Sequence, residues 1–174
     1  MDSRRAYAAL VAAVGVERLA ELVVSRRNAA WSLARGGREL GQGHYPVMVA
    51  LHSGLLVASV AEATWGRRGF GRGGWVALGG VAAAQALRWW CIRTLGPQWN
   101  TRVIVVPGAS RVTTGPYRWL DHPNYVAVVV EGVALPMVHG ARWTATGFTL
   151  ANALLLRHRL RVEEAALRQL QPLA

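Results

Sequence analysis

Lysine is absent from this 174-residue chain: all twenty basic residues are arginine, against nine acidic ones, for a formal net charge of +11. An arginine-only basic set suits phosphate or nucleic-acid recognition, and it equally follows from GC-rich coding. We take the second reading, with no nucleic acid as partner. No long basic run is present, and the arginines stand in small groups between apolar blocks, as they do in membrane loops. Cysteine is almost missing: Cys91 stands alone, which excludes an intrachain disulfide and a multi-cysteine metal site. No second histidine stands at metal spacing from His52 and H-E-x-x-H does not occur, so no metal is expected. The opening run MDSRRAYAALVAAVGVERLAELVV is interrupted by acidic residues and lacks a prompt A-x-A site, so we expect a retained helix rather than a signal peptide. The glycines of GRRGFGRGG, residues 66–74, follow no strand, which leaves a flexible connector rather than a dinucleotide-binding turn.

What is present is apolar length. Hydrophobic residues make up 52% of the chain and the mean hydropathy is positive, so we expect one all-α, integral-membrane domain over 1–174 with the lipid bilayer as a partner. A bilayer core of about 30 Å takes roughly 20 helical residues. Residues 7–24, 46–64 and 75–92 come close, while 125–139 and 141–156 are shorter and separated only by Gly140. Five spans are predicted, the last two a tight antiparallel hairpin that tilts or thins the bilayer.

On that map Arg26, Arg27, Arg35, Arg38, Arg93, Arg102, Arg111, Arg118, Arg157, Arg159, Arg161 and Arg168 fall on one side. Arg4, Arg5, Arg67, Arg68, Arg72 and Arg142 fall on the other. The richer side, with the C-terminus, is predicted to be cytoplasmic. Trp65, Trp75, Trp89, Trp90, Trp119 and Trp143 fall at span ends, where indoles anchor at the headgroup level. Between the third and fourth spans, RVIVVPG is too short to cross a membrane and is expected to be an extended lid or loop.

Ionisable groups inside spans need partners, because each costs about 2.5–3.5 kcal/mol near a helix centre. Arg18 lies between Glu17 and Glu21, so an ion pair within the first helix, facing the bundle, is expected, with a role in a substrate channel as the alternative. His52 shares a face with Met48 and Leu55, the setting of a hydrogen-bonded core histidine. Glu131 either bonds a neighbouring helix, with Asn152 as the candidate, or lines a reactive cavity.

The last span runs without a breaker into LLLRHRLRVEEAALRQL, so one helix is expected to continue to Leu170. Asn152, Leu156, Arg159 and Glu163 share its face, and Arg159 and Glu163 have the spacing of a surface ion pair. The same face emerges beside GPYRWLDHPNY, residues 115–125. There Gly115 and Pro116 form a turn, Tyr117 and Tyr125 carry rings with hydroxyls, and Pro123 suits a first helical turn. His122 then sits at a helix N-terminus, which favours an anionic group. A polar pocket at a membrane surface, with Arg159 and Glu163 above it, suits a charged cofactor beside a lipid-soluble substrate.

In these residues the chain resembles the isoprenylcysteine carboxyl methyltransferase superfamily of integral-membrane enzymes. The family pattern G-P-Y-R, R-H-P-x-Y and R-x-x-x-E-E appears as Gly115-Pro116-Tyr117-Arg118, Asp121-His122-Pro123-Asn124-Tyr125 and Arg159 through Glu163-Glu164, with Asp121 where the family has arginine. ELVVSRRNAAW, GGRELGQGHYPVMVALH and WNTRVIVVPGA further resemble bacterial members that O-methylate long-chain alkylpyrones or alkylresorcinols. The resemblance implies an S-adenosyl-L-methionine-dependent methyltransferase of the bacterial plasma membrane. Its three-helix half would be residues 1–92 and its cofactor-binding half residues 93–174. The donor is expected on Gly115, Tyr117, Arg118, His122, Pro123, Asn124, Tyr125 and Glu164. Arg159 and Glu163 are expected to orient the reacting groups, with Trp99, Asn100 and Asn152 bordering a lipophilic acceptor. A prenylcysteine carboxylate or phospholipid amine as acceptor, and a catalytically silent membrane scaffold, are the alternatives.

Overall fold

The computed structural model describes residues 2–66 and 69–170, with side chains through Ala165. The arginine count placed Arg67 and Arg68 in a connector; they lie outside the described residues, as does the side chain of Arg168. Among the described residues the chain forms five α-helices: α1 (Ser3–Leu33), α2 (Tyr45–Trp65), α3 (Arg72–Leu95), α4 (Pro123–Met137) and α5 (Arg142–Leu170). The fold is all-α apart from a short ribbon, in which β1 (Arg38–Leu40) pairs antiparallel with β2 (Val103–Val105). Its register sets Arg38 opposite Val105 and Leu40 opposite Val103.

Local chemistry sets the breaks. Asp2 caps α1 by accepting the Arg4 N–H at 3.2 Å, which satisfies one orphan donor of the first turn. At the other end Gly36 takes φ 76° and the Gly37 N–H reaches back 2.9 Å to Ser32 O, a glycine-terminated helix end. A Cβ on Gly37 would sit 2.6 Å from that same carbonyl, so the chain needs glycine to swing into β1. Pro46 stands in the first turn of α2 and Pro123 opens α4, where the missing N–H removes no helical bond. Gly140, at φ 74°, makes the turn between α4 and α5. The first turn of α5 is capped from another helix: the Glu62 carboxylate of α2 accepts the N–H of Trp143 at 3.1 Å and of Thr144 at 2.8 Å.

An apolar core of Tyr7, Val11, Val14, Ala63, Val81 and Leu135 fills the Gly140 end of the bundle, where the Tyr7 hydroxyl donates to Leu135 O. Helices α3 and α4 approach closely: a Cβ on Gly80 would lie 3.1 Å from that of Ala134. The Phe148 ring of α5 occupies the space a side chain on Gly132 would need.

Toward the middle of the bundle the interior becomes charged. Arg18 binds Glu21 at 2.6 Å and Glu131 at 2.6 Å, and Arg88 binds Glu131 at 2.8 Å. Gln85 and Trp89 both donate to Glu17. Glu21, Arg88 and Glu131 are only 4%, 5% and 4% exposed. The intrahelical Arg18–Glu21 pair is as expected, and Glu131 bonds neighbouring helices as expected, though its partners are Arg18 and Arg88 rather than Asn152. It is neutralised by arginines of α1 and α3, because Arg18 and Arg88 share the bundle interior with it and a buried carboxylate is stable only when paired. Trp89, expected at the headgroup level, turns its indole N–H toward α1 and donates to Glu17. His52 accepts the core role, its Nδ1 2.9 Å from Met48 O.

The surface is the reverse of that interior. Val57, Val76, Leu150 and Leu154 point outward, and Trp65 and Trp143 are each 84% exposed. Among the described residues one helical stretch, Gln42–Trp65, is long and apolar enough by length and composition to cross a membrane. The other predicted spans differ from it for two reasons. In α1, α3 and α5 charged and amide residues such as Glu17, Arg18, Glu21, Gln85, Arg88 and Arg157 interrupt or cut short the apolar stretch, and α4, at 15 residues, reaches only about 22 Å.

Candidate functional site

The turn at residues 115–118 and the end of α5 are brought together by α4. Gly115 adopts φ 56°, and a Cβ there would lie 2.6 Å from Thr94 Oγ1, so the chain can turn against α3 only with glycine. Pro116 is buried in the 3-10 turn that follows. Tyr117 lies near Cys91; burial first, and then that thiol, push its hydroxyl well above the ordinary tyrosine range. It is therefore a neutral hydrogen-bonding group at any working pH.

His122 precedes the first residue of α4 and its ring stacks on Tyr125, centroids 5.2 Å apart and planes 8° from parallel. The Tyr125 hydroxyl donates to Glu163 of α5, while His122 Nδ1 stands 3.9 Å from the other Glu163 oxygen. Glu163 is therefore engaged by α4 and its entry turn. Arg159 turns away from it. Its Nη1 lies 2.9 Å from Met48 Sδ of α2, its guanidinium lies 5.6 Å from the Tyr125 ring centroid, and it is 9% exposed. The expected Arg159–Glu163 surface pair does not form, since one side chain packs inward and the other is claimed by Tyr125. Among the described residues Arg159 has no carboxylate within ion-pair distance, and its Nε is buried without a partner.

These groups surround a cavity of about 450 Å³, within the size range of small-molecule sites. Of the predicted donor-binding residues, Tyr117, His122, Asn124, Tyr125 and Glu164 line it, as do Arg159, Glu163, Trp99 and Asn100. Gly115, Arg118 and Pro123 do not: Gly115 shapes the turn, Arg118 is exposed, and Pro123 is buried at the start of α4. Asn152, two helical turns back from Arg159, lines a separate crevice of about 80 Å³ between α4 and α5 with Val129 and Phe148.

Several wall residues carried no signal in the sequence. RVIVVPG is extended as expected, but it becomes β2 by pairing with Arg38–Leu40, and Arg102 through Val106 then cover the cavity. Arg102 is tied to Glu39 at 3.3 Å. Farther along, Arg111 binds Asp121 at 2.6 Å, so the acidic residue in the His-Pro turn has a local basic partner. On α1, Asn28 donates to Gly96 O at 3.0 Å and Trp99 O at 2.8 Å. Ser25 contacts Asn100 and Thr101. The spacing of Ser25 and Asn28 on one helical face was visible; what that face would meet was not.

Residues 75–169 match the isoprenylcysteine carboxyl methyltransferase family, and that stretch contains most of α3, the His-Pro turn and the Arg159–Glu164 segment. The chain belongs to the isoprenylcysteine carboxyl methyltransferase family. It is 35% identical over 169 residues to the uncharacterized protein YpbQ of Bacillus subtilis (strain 168), covering 92% of this chain and 95% of that one. It is also 23% identical over 156 residues to an uncharacterized protein of Haemophilus influenzae, covering 89% and 91% respectively. No solved structure matches. Membership of this family makes the chain a membrane methyltransferase.

Proposed function

We propose that this methyltransferase uses S-adenosyl-L-methionine to O-methylate a lipophilic acceptor, a long-chain alkylpyrone or alkylresorcinol, at the cytoplasmic face of the bacterial plasma membrane. The observation that carries the reading is Arg159: a buried guanidinium with no carboxylate partner among the described residues, on the wall of a cavity that the adjoining His122–Tyr125–Glu163 cluster also lines. A buried cation without a counter-ion favours an anionic guest.

The donor fits the residues present. The buried, unpartnered Asn124 Oδ1 supplies a hydrogen-bond acceptor. Glu164 adds a carboxylate, and Tyr117, His122 and Tyr125 add rings, around a volume sufficient for a nucleoside-sized molecule. When bound, S-adenosyl-L-methionine supplies an electrophilic methyl group for in-line transfer to oxygen. The protein's part is alignment and exclusion of water. Tyr125 and His122 hold Glu163 in place, Arg159 holds the acceptor oxygen, and the β1–β2 ribbon covers the reacting end.

The membrane setting rests on the distribution of side chains. Apolar residues and Trp65, Trp75, Trp90, Trp119 and Trp143 face outward while Arg88, Glu21 and Glu131 are paired inside, the arrangement that a lipid solvent favours. We read residues 1–174 as one domain crossing the bilayer five times, with α4 tilted or the bilayer locally thinned, and the richer arginine side cytoplasmic. Incubation of nanodisc-embedded protein with methyl-labelled donor and separate alkylpyrone, alkylresorcinol and prenylcysteine lipids tests the reading by mass spectrometry. Label on the pyrone or resorcinol oxygen is expected; label on the prenylcysteine alone would overturn the acceptor.

A further inference from the structure

Resting on that methyltransferase reading, we propose that Ser25 of α1 is a positioning residue that turns the Asn100 amide nitrogen to the acceptor site, making the site selective for oxygen acids over amines. Ser25 is 3% exposed. Its hydroxyl lies 3.2 Å from Asn100 Oδ1, 2.8 Å from Thr101 Oγ1 and 3.0 Å from the Thr101 N–H. A serine hydroxyl has one proton and two acceptor positions. The Thr101 amide and hydroxyl fill the two acceptor positions, and the Ser25 proton goes to Asn100 Oδ1. With its oxygen held there, Asn100 presents Nδ2, which is buried and unpartnered.

The neighbouring wall has the same polarity. Trp99 Nε1 and Arg159 Nε are also buried and unpartnered, both can only donate, and both residues line the cavity that Asn100 lines. Asn28 fixes the Trp99 carbonyl from the next turn of α1, so one face of α1 holds both Trp99 and Asn100. Three unfilled donors match an oxygen bearing lone pairs: an enolate, a phenolate or a carboxylate. A neutral amine presents N–H groups that need acceptors, and its lone pair is committed to the new bond. Desolvated donors left facing it would go unpaired, which is unfavourable, so oxygen acids are selected by what the wall lacks as well as by what it offers.

The test uses the full chain in nanodiscs, with Ser25→Ala, Ser25→Thr and Asn100→Asp compared with wild type. Binding of S-adenosylhomocysteine is followed by calorimetry, and kcat and KM are measured with a long-chain hydroxypyrone, a resorcinol and phosphatidylethanolamine. Ser25→Ala is expected to raise acceptor KM about tenfold with donor-product affinity within about twofold of wild type, because one orienting hydrogen bond is lost. Ser25→Thr, which keeps the hydroxyl, should return KM to within about threefold. Asn100→Asp replaces the presented N–H by a carboxylate oxygen and should lower kcat/KM for the oxygen acids at least a hundredfold, again with product binding retained. Wild type should leave phosphatidylethanolamine unlabelled. The proposal is overturned if Ser25→Ala matches wild type in both constants, if Asn100→Asp keeps its activity, as it would were the amide turned the other way, or if the amine lipid is the better acceptor. Wild type that binds no S-adenosylhomocysteine and labels no lipid would instead overturn the methyltransferase reading beneath it.

Discussion

Tyr125 donates its hydroxyl to Glu163, so the first turn of α4 is bonded to a point on α5 that the chain reaches only after passing through the whole hairpin. That bond also explains why Arg159 is free: the carboxylate one turn away on its own helix is already engaged, and the guanidinium turns inward onto Met48 and the Tyr125 ring.

Tyr125→Phe removes this bond and keeps the ring stacked on His122. A hydrogen bond to a charged acceptor contributes about 1.5–3 kcal/mol, so S-adenosylhomocysteine affinity should fall roughly tenfold to a hundredfold. Calorimetric titration checks this; unchanged affinity would separate the Tyr125–Glu163 contact from donor binding.

Arg159→Gln keeps much of the side-chain volume and removes the charge. Turnover should drop at least a hundredfold, the loss expected when a buried charged contact to the reacting oxygen disappears, while the thermal midpoint stays near wild type. Initial rates with labelled donor, paired with a melting curve, test it. A variant with near-normal turnover would remove Arg159 from the chemistry.

Arg88→Ala leaves Glu131 with Arg18 alone and strips Glu21 of its second cation. Breaking one side of a buried ionic cluster destabilises by about 3–5 kcal/mol. Thermal unfolding in detergent should show a clearly lower midpoint, and Arg88→Ala in a Glu131→Gln background should show a smaller further loss.

Glu62→Ala deletes a cap supplied to α5 by α2. The expected loss is about 1 kcal/mol, seen as a modest fall in thermal midpoint with kcat unchanged, since the contact is at the end of the bundle opposite the cavity.

Alkaline pH acts through Tyr117. Its hydroxyl is raised in the folded protein, chiefly by burial, so the folded state holds that proton where the unfolded chain has begun to lose it. The stabilisation is whole below the ordinary tyrosine pKa of about 10 and declines as pH rises past it. Unfolding followed between pH 8 and 11 should show this decline in wild type and a shallower one in Tyr117→Phe.

Much of the architecture was legible because the signals were local. The breaks at Gly140 and Pro123, the uninterrupted run from Arg142 to Leu170, and the extended character of residues 103–105 all follow from backbone preferences of neighbouring residues. So does the GPYR turn, where a glycine and a proline are adjacent. The meeting of the His-Pro turn with the Arg159–Glu164 segment was expected from the resemblance to a known family, and nine of the predicted site residues line one cavity.

Partner choice was a different matter. Glu131 had polar candidates on several helices, and its pairing with Arg18 and Arg88 depends on how α1, α3 and α4 are rotated about their axes. Asn152 shares a helical face with Arg159, yet the α4–α5 crossing gives it a separate crevice. Arg159 and Glu163 have ion-pair spacing and do not pair, because Tyr125 competes for the carboxylate from outside the helix.

By itself, then, the order of residues determined where the breaks at Pro123 and Gly140 fall and which stretches are apolar, since each depends on interactions within a few positions. The tertiary structure alone decided which buried charges neutralise one another, that Arg38–Leu40 would pair with β2, and that Ser25 would face Asn100. Those outcomes depend on helix rotation and crossing, and they are settled by satisfying every buried polar group at once rather than by any local preference.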